Sequence, residues 1–512
     1  MKQVLNKKEA CFKKQRGSTL AYVLVIMTVV TIILVSMLGY ITSQIKFSIN
    51  RVEKEKAFQI AEAGIYYYRW YLAHETSGKT ALEINSFLET GGPMGFSPDP
   101  VEYYNSMGAY QLSIEPPAIG STIINVESTG WSNKFPDMKR TVKVRFRRPS
   151  WSEYSFLSNS FMNFGSEAEV YGKVHSNDGI RFDGLAHNTV SSLLPRFNDP
   201  TWGGNSQEFG VHTTVNPADA HAPAYPWPDG TIPERPDVFM GGREFPISEV
   251  SFTGVSANLT NMYNKAISGS GRYFDNSGQG RRIIIKSNGT YDVCKVNSAN
   301  SNTHVISSFD GIVSGASGSY SGTNGNTCTT SSCCIFSSCP YIQSNRQSRG
   351  KCVSLDNYSI INNGVIFVDN SIWLDGTVNN KRITVVARGA SSDIYIGTTN
   401  SNIRYVAYNC DNSLGLIAER DVRVLGTCPD QYVVDAAILA QLGTVGINDN
   451  GFSGKTSLVF NGAIASYLQP YFQHGNSGFA VRLYNYDNNL LYCPPPYFPT
   501  GTEYAIDLWE EL

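Results

Sequence analysis

Residues 16–45 read RGSTLAYVLVIMTVVTIILVSMLGYITSQI, and residues 46–72 continue KFSINRVEKEKAFQIAEAGIYYYRWYL. From Ser18 to Ile45 there are 28 residues without Asp, Glu, Lys or Arg. As a helix rising about 1.5 Å per residue, they more than span the roughly 30 Å hydrocarbon core of a bilayer. No Pro interrupts the run. Beyond Lys46, the apolar positions Ile49, Val52, Ala57, Ile60, Ala61, Gly64, Tyr68 and Leu72 recur at helical spacing. Arg51, Glu53, Lys54, Glu55 and Lys56 are set among them. The pattern predicts one rod over 18–72, apolar all round in its first half and amphipathic in its second. Half would lie in lipid and half on a soluble domain.

Upstream, residues 1–17 carry Lys2, Lys7, Lys8, Lys13, Lys14 and Arg16 against Glu9. By the positive-inside tendency this end stays in the cytoplasm and the long C-terminal part goes outside. A secretory signal places its small-residue cleavage site after a short apolar core. Here Gly17 and Ser18 precede the core. An uncleaved single-pass anchor is the alternative that the residues leave open.

Taken together, the basic leader, Gly17–Ser18, the uninterrupted helix and the run AFQIAEAGI (57–65) resemble the N-terminal segment of PilX-type minor pilins. The likeness covers residues 14–72 and includes a class III (prepilin) signal. It implies cleavage between Gly17 and Ser18 by a prepilin peptidase, with the apolar helix kept on the mature chain. It further implies a single pass in the bacterial inner membrane with the C-terminus outside, then a place in an extracellular filament at the cell surface. The partners it implies are membrane lipid before assembly and other pilins or pseudopilins, met through the N-terminal helix. Most pilins carry a glutamate at the fifth mature position, thought to pair with the terminal amine of a neighbour. This chain has Tyr22 there, a departure that argues against a repeating shaft subunit.

Composition bounds the rest. The chain has 512 residues, enough for more than one domain. Its formal net charge is −2, which gives no case for nucleic-acid binding. Charged residues make up 16%, beside 46 Gly and 29 Tyr, a profile of an exported, turn-rich β protein. Of the ten cysteines, Cys11 lies in the leader and the other nine lie beyond residue 290, so one of those has no partner within the chain. An outside location permits disulfides.

After a connector at 73–108, with a short helix expected at Ala81–Leu88, three runs alternate apolar and polar residues: 109–116, 121–131 and 139–148. They predict an antiparallel meander packed on the helix. The expected fold class is α+β, with a leader at 1–17 and a pilin-like module at 18–150 (helix 18–72, strands 109–148). A mainly-β domain follows at 151–512.

That last domain holds a repeat: SNDGIRFDG (176–184), DNSIWLDG (369–376), SSDIYIG (391–397), ERDVRVLG (419–426) and LGTVGI (442–447). An apolar run precedes each of them. From Ile372 the steps to Ile394, Val422 and Val445 are 22, 28 and 23 residues. A period near twenty suggests the stacked coils of a right-handed parallel β-helix, with an ordinary β-sandwich as the alternative. Ile180/Phe182, Ile372/Leu374, Ile394/Ile396, Val422/Val424 and Val445/Ile447 would point inward. Residues 294–353 form a Ser/Gly/Asn-rich insertion with Cys294, Cys328, Cys333, Cys334, Cys339 and Cys352, expected to be cross-linked. Cys410 and Cys428 flank one coil and are expected to pair. Residues 485–512 read as a cap on the last coil, and Ser256–Ala266 as a short helix. VHSNDGI (174–180), VFMGGREF (238–245) and YDNNLLYCPPPYFP (486–499) resemble the C-terminal domains of large PilX-like proteins, a likeness that implies no activity.

Enzyme signals are poor. Gly454-Lys455-Thr456 mimics the end of a phosphate loop, but Asp449 stands where its first glycine belongs and no helix pattern follows. The cysteines include no CxxC and the histidines no HExxH, so neither metal nor cofactor is expected. Asn448–Gly451 lacks the ligands of a calcium loop. Asp178, Asp183, Asp369, Asp375, Asp393 and Asp421 stand at strand ends beside turn residues, where Asp serves turn hydrogen bonding. The outward positions Arg181, Trp373, Tyr395 and Arg423 would suit a glycan- or protein-binding face. Their alternative is a stripe covered by 188–250. The leading expectation is a minor pilin or pseudopilin at the tip of a type IV pilus or a related secretion or DNA-uptake filament, without enzymatic activity. A surface adhesin reading glycan or protein through the β-helix comes second, and a membrane-tethered carbohydrate-active enzyme third.

Overall fold

The computed structural model describes residues 18–512 apart from 78, 80, 95–100, 105, 118–122, 149, 253–254, 399 and 502–503. Between 310 and 356 it describes only a few two-residue strand pieces. The leader with Gly17, the cysteines Cys333 and Cys334, and the side chains of Cys328, Cys339 and Cys352 lie outside the described residues.

The rod expected over 18–72 is helix α1, Ser18–Thr76, unbroken over 59 residues. Its second half lies on an antiparallel sheet of β1 (Val101–Tyr104), β2 (Gly108–Glu115), β3 (Ile124–Ser132) and β4 (Phe135–Arg147). Burial on β3 alternates residue by residue, as period two requires of a sheet with one covered face. Ile124, Val126, Val142, Val144 and Phe146 meet Ile60, Ile65, Tyr68 and Leu72 of the helix in one core.

This sheet has a fifth strand, which corrects the expected cap. Ala505–Glu511 pairs antiparallel with β4, Ala505 opposite Arg147 and Glu511 opposite Val142. Charge and aromatic packing hold it there. Asp507 accepts from Arg145 Nε at 2.7 Å and forms an ion pair with Arg147, also at 2.7 Å, and Trp509 lies against Tyr66 of α1. The strand also covers an edge that β4 would otherwise leave unpaired. Everything between leaves and re-enters at one end of the sheet, where Ser150 and Thr500 form a bridge.

The large β-rich part consists mostly of parallel ladders. In the first, neighbours run Gly271–Phe274, Gly364–Val368, Arg382–Ala387, Ser413–Ala418, then the ends of Gln431–Ala440 and Gly454–Ser466. Tyr154–Ser158, Lys173–Ser176, Val190–Ser192 and Arg243–Glu244 complete it. A second ladder joins Gly280–Ile285, Ser371–Val378, Ile394–Ile396, Val422–Val424 and Val445–Ile447. A third runs through Ile403–Tyr405, the starts of Gln431–Ala440 and Gly454–Ser466, then Ser477–Asn485, Ala168–Val170 and Leu185–Ala186. The inward pairs named from sequence are all buried in one core.

The order within the first ladder differs from sequence order. The strand at 154–158 stacks on the end of 454–466, Ile464 opposite Phe156, although some 300 residues separate them in the chain. A column of small buried hydroxyls crosses this seam: Ser466, Ser158, Ser176 and Ser192. Ser158 Oγ accepts from Ser160 N at 3.1 Å, Ser176 Oγ from Asp178 N at 2.9 Å and Ser192 Oγ from Leu194 N at 3.0 Å, while Ser466 Oγ donates to Leu468 O at 2.6 Å, so each hydroxyl turns the chain two residues on.

Strands of the first ladder are covered on both sides, which is why GVIFV, RITVVA, SLGLIA and DAAILA read as continuous apolar runs. Their outward side packs against the helix Val255–Ile267, through Leu259, Met262 and Ala266, and against Leu490, Tyr497 and Phe498 of the tail. Pro494 to Pro496 have no N–H to give a ladder, so they lie across it instead. Arg382 Nη2 bonds Pro494 O at 2.6 Å, and Thr384 Oγ1 bonds Pro496 O.

Candidate assembly helix and outward stripe

Residues 19–52 of α1 are exposed throughout. The helix has the length and hydropathy to cross a membrane, with a mean hydropathy of 2.7 over its most apolar window. Three of its threonine hydroxyls are satisfied within the helix. Thr28 Oγ1 bonds Val25 O at 2.8 Å, Thr31 Oγ1 bonds Met27 O at 2.6 Å and Thr42 Oγ1 bonds Leu38 O at 2.7 Å. Lipid or a second apolar helix can therefore cover these threonines without stranding their hydroxyls. Ser18 begins the helix, and Tyr22 is 69% exposed on it.

The run AFQIAEAG fixes the second half through small side chains. Ala57 and Ala61 face Gly130 of β3 so closely that a Cβ there would stand 2.4 Å from Ala57 O and from Ala61 N. A Cβ on Gly64 would likewise meet Ser128 Oγ at 2.4 Å and the ring of Tyr110. Helix and strand backbones thus nearly touch, and larger residues at 57, 61, 64 or 130 would push them apart. Where the exposed half ends, Glu53 is buried. It accepts from Ser132 Oγ at 2.6 Å and from Lys56 Nζ at 2.8 Å. The Lys56 and Ser132 hydrogen bonds hold its carboxyl below the ordinary range despite burial. The sequence sets Glu53 only among the charges of the amphipathic half, since nothing local shows that Ser132 reaches it.

The outward stripe is not a free surface. Trp373, Tyr395 and Arg423 stand in one register column of the second ladder. Trp373 and Tyr395 are only 3% exposed each. The strand Thr290–Ala299 and the turn after it fold over them. Trp373 Nε1 bonds His304 O at 2.7 Å, and His304 stacks on Tyr395 with centroids 4.8 Å apart. Cys294, Val296 and Ile306 close the cluster. The cover is therefore the 290–306 strand pair, and 188–250 covers only Arg181. Arg181 bonds Asp183 at 2.7 Å and Thr214 Oγ1 at 2.9 Å and lies against Trp202. Arg423 bonds Tyr471 Oη at 2.8 Å and Asp421 at 3.1 Å. The column is aromatic because it is a second small core.

Cys410 pairs with Cys493, not with Cys428, across a Cα–Cα distance of 5.3 Å. Cys428 is a free thiol that turns into the main core, where burial pushes its pKa up to about 12. Cys410 instead sits in the turn after Ile403–Tyr405, where the proline tail brings Cys493 past it. Cysteine arithmetic alone could not choose between them. Cys294 is disulfide-bonded.

Five of the six strand-end carboxylates tie neighbouring segments together, and the sixth, Asp178, closes its own turn. Asp369 binds Arg388 through two bonds, Asp393 binds Arg420 likewise, and Asp375 faces Arg282 at 3.1 Å. Asp183 accepts from Thr214 N at 2.7 Å, Asp421 from Thr444 N at 2.7 Å and Asp178 from Gly179 N at 2.7 Å. Gly454, Lys455 and Thr456 begin the strand Gly454–Ser466, and Lys455 Nζ is bound by Cys428 O at 2.9 Å. Among the described residues no His, Cys, Asp or Glu cluster has the geometry of a metal site.

The family model described as PilX N-terminal matches residues 16–65. No curated protein matches the chain. Among solved structures, the competence-associated pilin ComZ from Thermus thermophilus aligns at 14% identity with a TM-score of 0.31, over 90% of this chain and 97% of that one. A likeness of that size carries no argument.

Proposed function

We propose that this chain, which carries a PilX-type N-terminal segment, is a minor pilin that assembles through α1 and sits at or near a filament tip. The observation that carries the reading is the division of α1 at Glu53. Before it, every residue from 19 to 52 is exposed and mostly apolar; after it, AFQIAEAG seats the helix on the sheet. A surface of that kind needs lipid before assembly and the helices of other pilins after it.

On this reading a prepilin peptidase cuts between Gly17 and Ser18, and residues 18–45 hold the chain in the inner membrane until extraction. The pilin-like unit is α1, β1–β4 and Ala505–Glu511, and the region from Ser150 to Thr500 is a parallel β-helix inserted into it. Support for the β-helix comes from the three parallel ladders, visited in the same order on each pass. Tip placement rests on Tyr22, which offers no carboxylate to a neighbour's terminal amine, and on the bulk of the insertion, which would crowd a helical shaft.

Co-expression with a prepilin peptidase should shorten the protein at its N-terminus, and Gly17→Trp should block the cut while leaving membrane insertion intact. Immunogold against residues 151–500 should mark filament ends at low copy number. Labelling along the whole shaft, or an unprocessed wild-type chain in peptidase-positive cells, would refute the assignment.

A further inference from the structure

Where the 154–192 strands stack on the 454–485 strands, two of the three ladders close and one does not. Ile464 pairs with Phe156 in the first ladder, and Leu483 pairs with Glu169 in the third. In the second, the chain at 470–473 makes only a single bridge, Gly446 to Tyr471. Pro470 has no N–H to offer a ladder. The strands Met162–Phe164, Ile180–Phe182 and Val211–His212 form a separate sheet beyond the gap. The gap is a cavity of about 280 Å³, lined among others by Asn163, Gly165, Arg181, Tyr471, Gln473 and Arg482.

Arg482 is the unexpected member. It occupies an inward register position in the third ladder, beside Leu458 on one side and Ala168 on the other, both core residues. It is 5% exposed. A cation at such a position is costly unless an anion meets it. Among the described residues none does. Its side-chain hydrogen bonds to described residues all leave Nη1, to Gln473 Oε1, to Phe479 O at 2.7 Å and to Ala480 O at 3.1 Å, and all three acceptors are neutral. Nη2 faces Gly165, where a Cβ would stand 3.4 Å away. The missing side chain at 165 keeps the space before this nitrogen open.

We propose that the seam cavity binds the carboxylate of a sugar acid, with Arg482 Nη2 as the anion's partner. The size points to one ring, since about 280 Å³ lies just below the roughly 300–1,000 Å³ typical of drug-sized ligand pockets. The wall chemistry points to hydroxyls around the carboxylate. Asn163 and Gln473 carry amides that donate and accept, the Arg181–Asp183 pair offers both senses, and Tyr471 supplies a ring. The assignment does not depend on the assembly role.

The test titrates the full-length protein in detergent with sodium glucuronate by calorimetry, with glucose, acetate, inorganic phosphate and glycylglycine as comparators. Glucuronate should bind saturably and at least tenfold more tightly than each of the other four. Arg482→Met should weaken it at least tenfold. Gly165→Leu, which keeps the arginine and fills the space before it, should do the same with an unchanged circular dichroism spectrum. Equal binding of glucose would remove the carboxylate from the account, and phosphate or acetate binding as tightly as glucuronate would remove the sugar. A preference for glycylglycine would reassign the site to peptide ends. Full glucuronate affinity in folded Gly165→Leu would overturn the proposal even if Arg482→Met fails to fold.

Discussion

Glu53 marks the point where α1 passes from a surface that must be covered by other molecules to one covered by its own sheet. Its carboxyl is held below the ordinary value of 4.5 in the folded chain, first by Lys56 and then by Ser132. The unfolded chain titrates near the ordinary value. The ionised group therefore favours the fold at pH above about 4.5, and that contribution is lost as pH falls through the folded pKa. Thermal melts in detergent between pH 6 and pH 3 should show the wild type losing more stability than Glu53→Gln, with the two curves drawing together at the acid end. Parallel curves across that range would show that the buried carboxylate contributes nothing. The glycines opposite the helix act at the same scale. Gly130 and Gly64 matter for the side chain they lack, which the sequence shows only as small residues at regular spacing.

At the scale of elements, the helix was legible because 28 uncharged residues followed by a 3.6-residue period permit little else. The meander was legible through period two, and so were the second-ladder strands IYI, VRV and VGI and the strand IRF of the separate sheet, each with one outward residue. What could not be read was pairing across long separations. Nothing near Ala505 announces a partner at Arg147, and nothing near Trp373 announces the strand that buries it. The tail shows the same limit. Residues 485–512 read as a cap, but the proline carbonyls cross the first ladder and Cys493 locks them to Cys410. Closing a loop of 83 residues should, on the chain-entropy account, stabilise by about 4.5 kcal/mol. Cys493→Ser should therefore lower the unfolding free energy by roughly that amount, and Cys428→Ala, which breaks no cross-link, by less. Mass mapping of the unreduced protein should recover the 410–493 cross-link; a 410–428 peptide instead would disprove the pairing.

For the molecule as a whole, the seam changes where stability should reside. Solenoid repeats touch only their neighbours, so the ends of a stack fray first. Here the early and late strands of the chain meet in the interior of the stack, at Phe156 and Ile464, and the ends of the first ladder are Gly271–Phe274 and Arg243–Glu244. Hydrogen exchange should find the slowest amides around 156–158 and 464–466 and faster ones at 271–274 and 243–244. Fast exchange at the seam with slow exchange at those ends would contradict the stacking order.

The inserted strands also leave the sheet and return to it side by side, through β4 and Ala505–Glu511. A body hung from one strand can swivel about a single bond axis. One hung from two adjacent strands, clamped by Arg145, Arg147 and Asp507, resists torque as well as tension. A sideways pull on the insertion is thus passed through β4 to β3 and the helix as a bending load, and the insertion keeps its bearing relative to the rod.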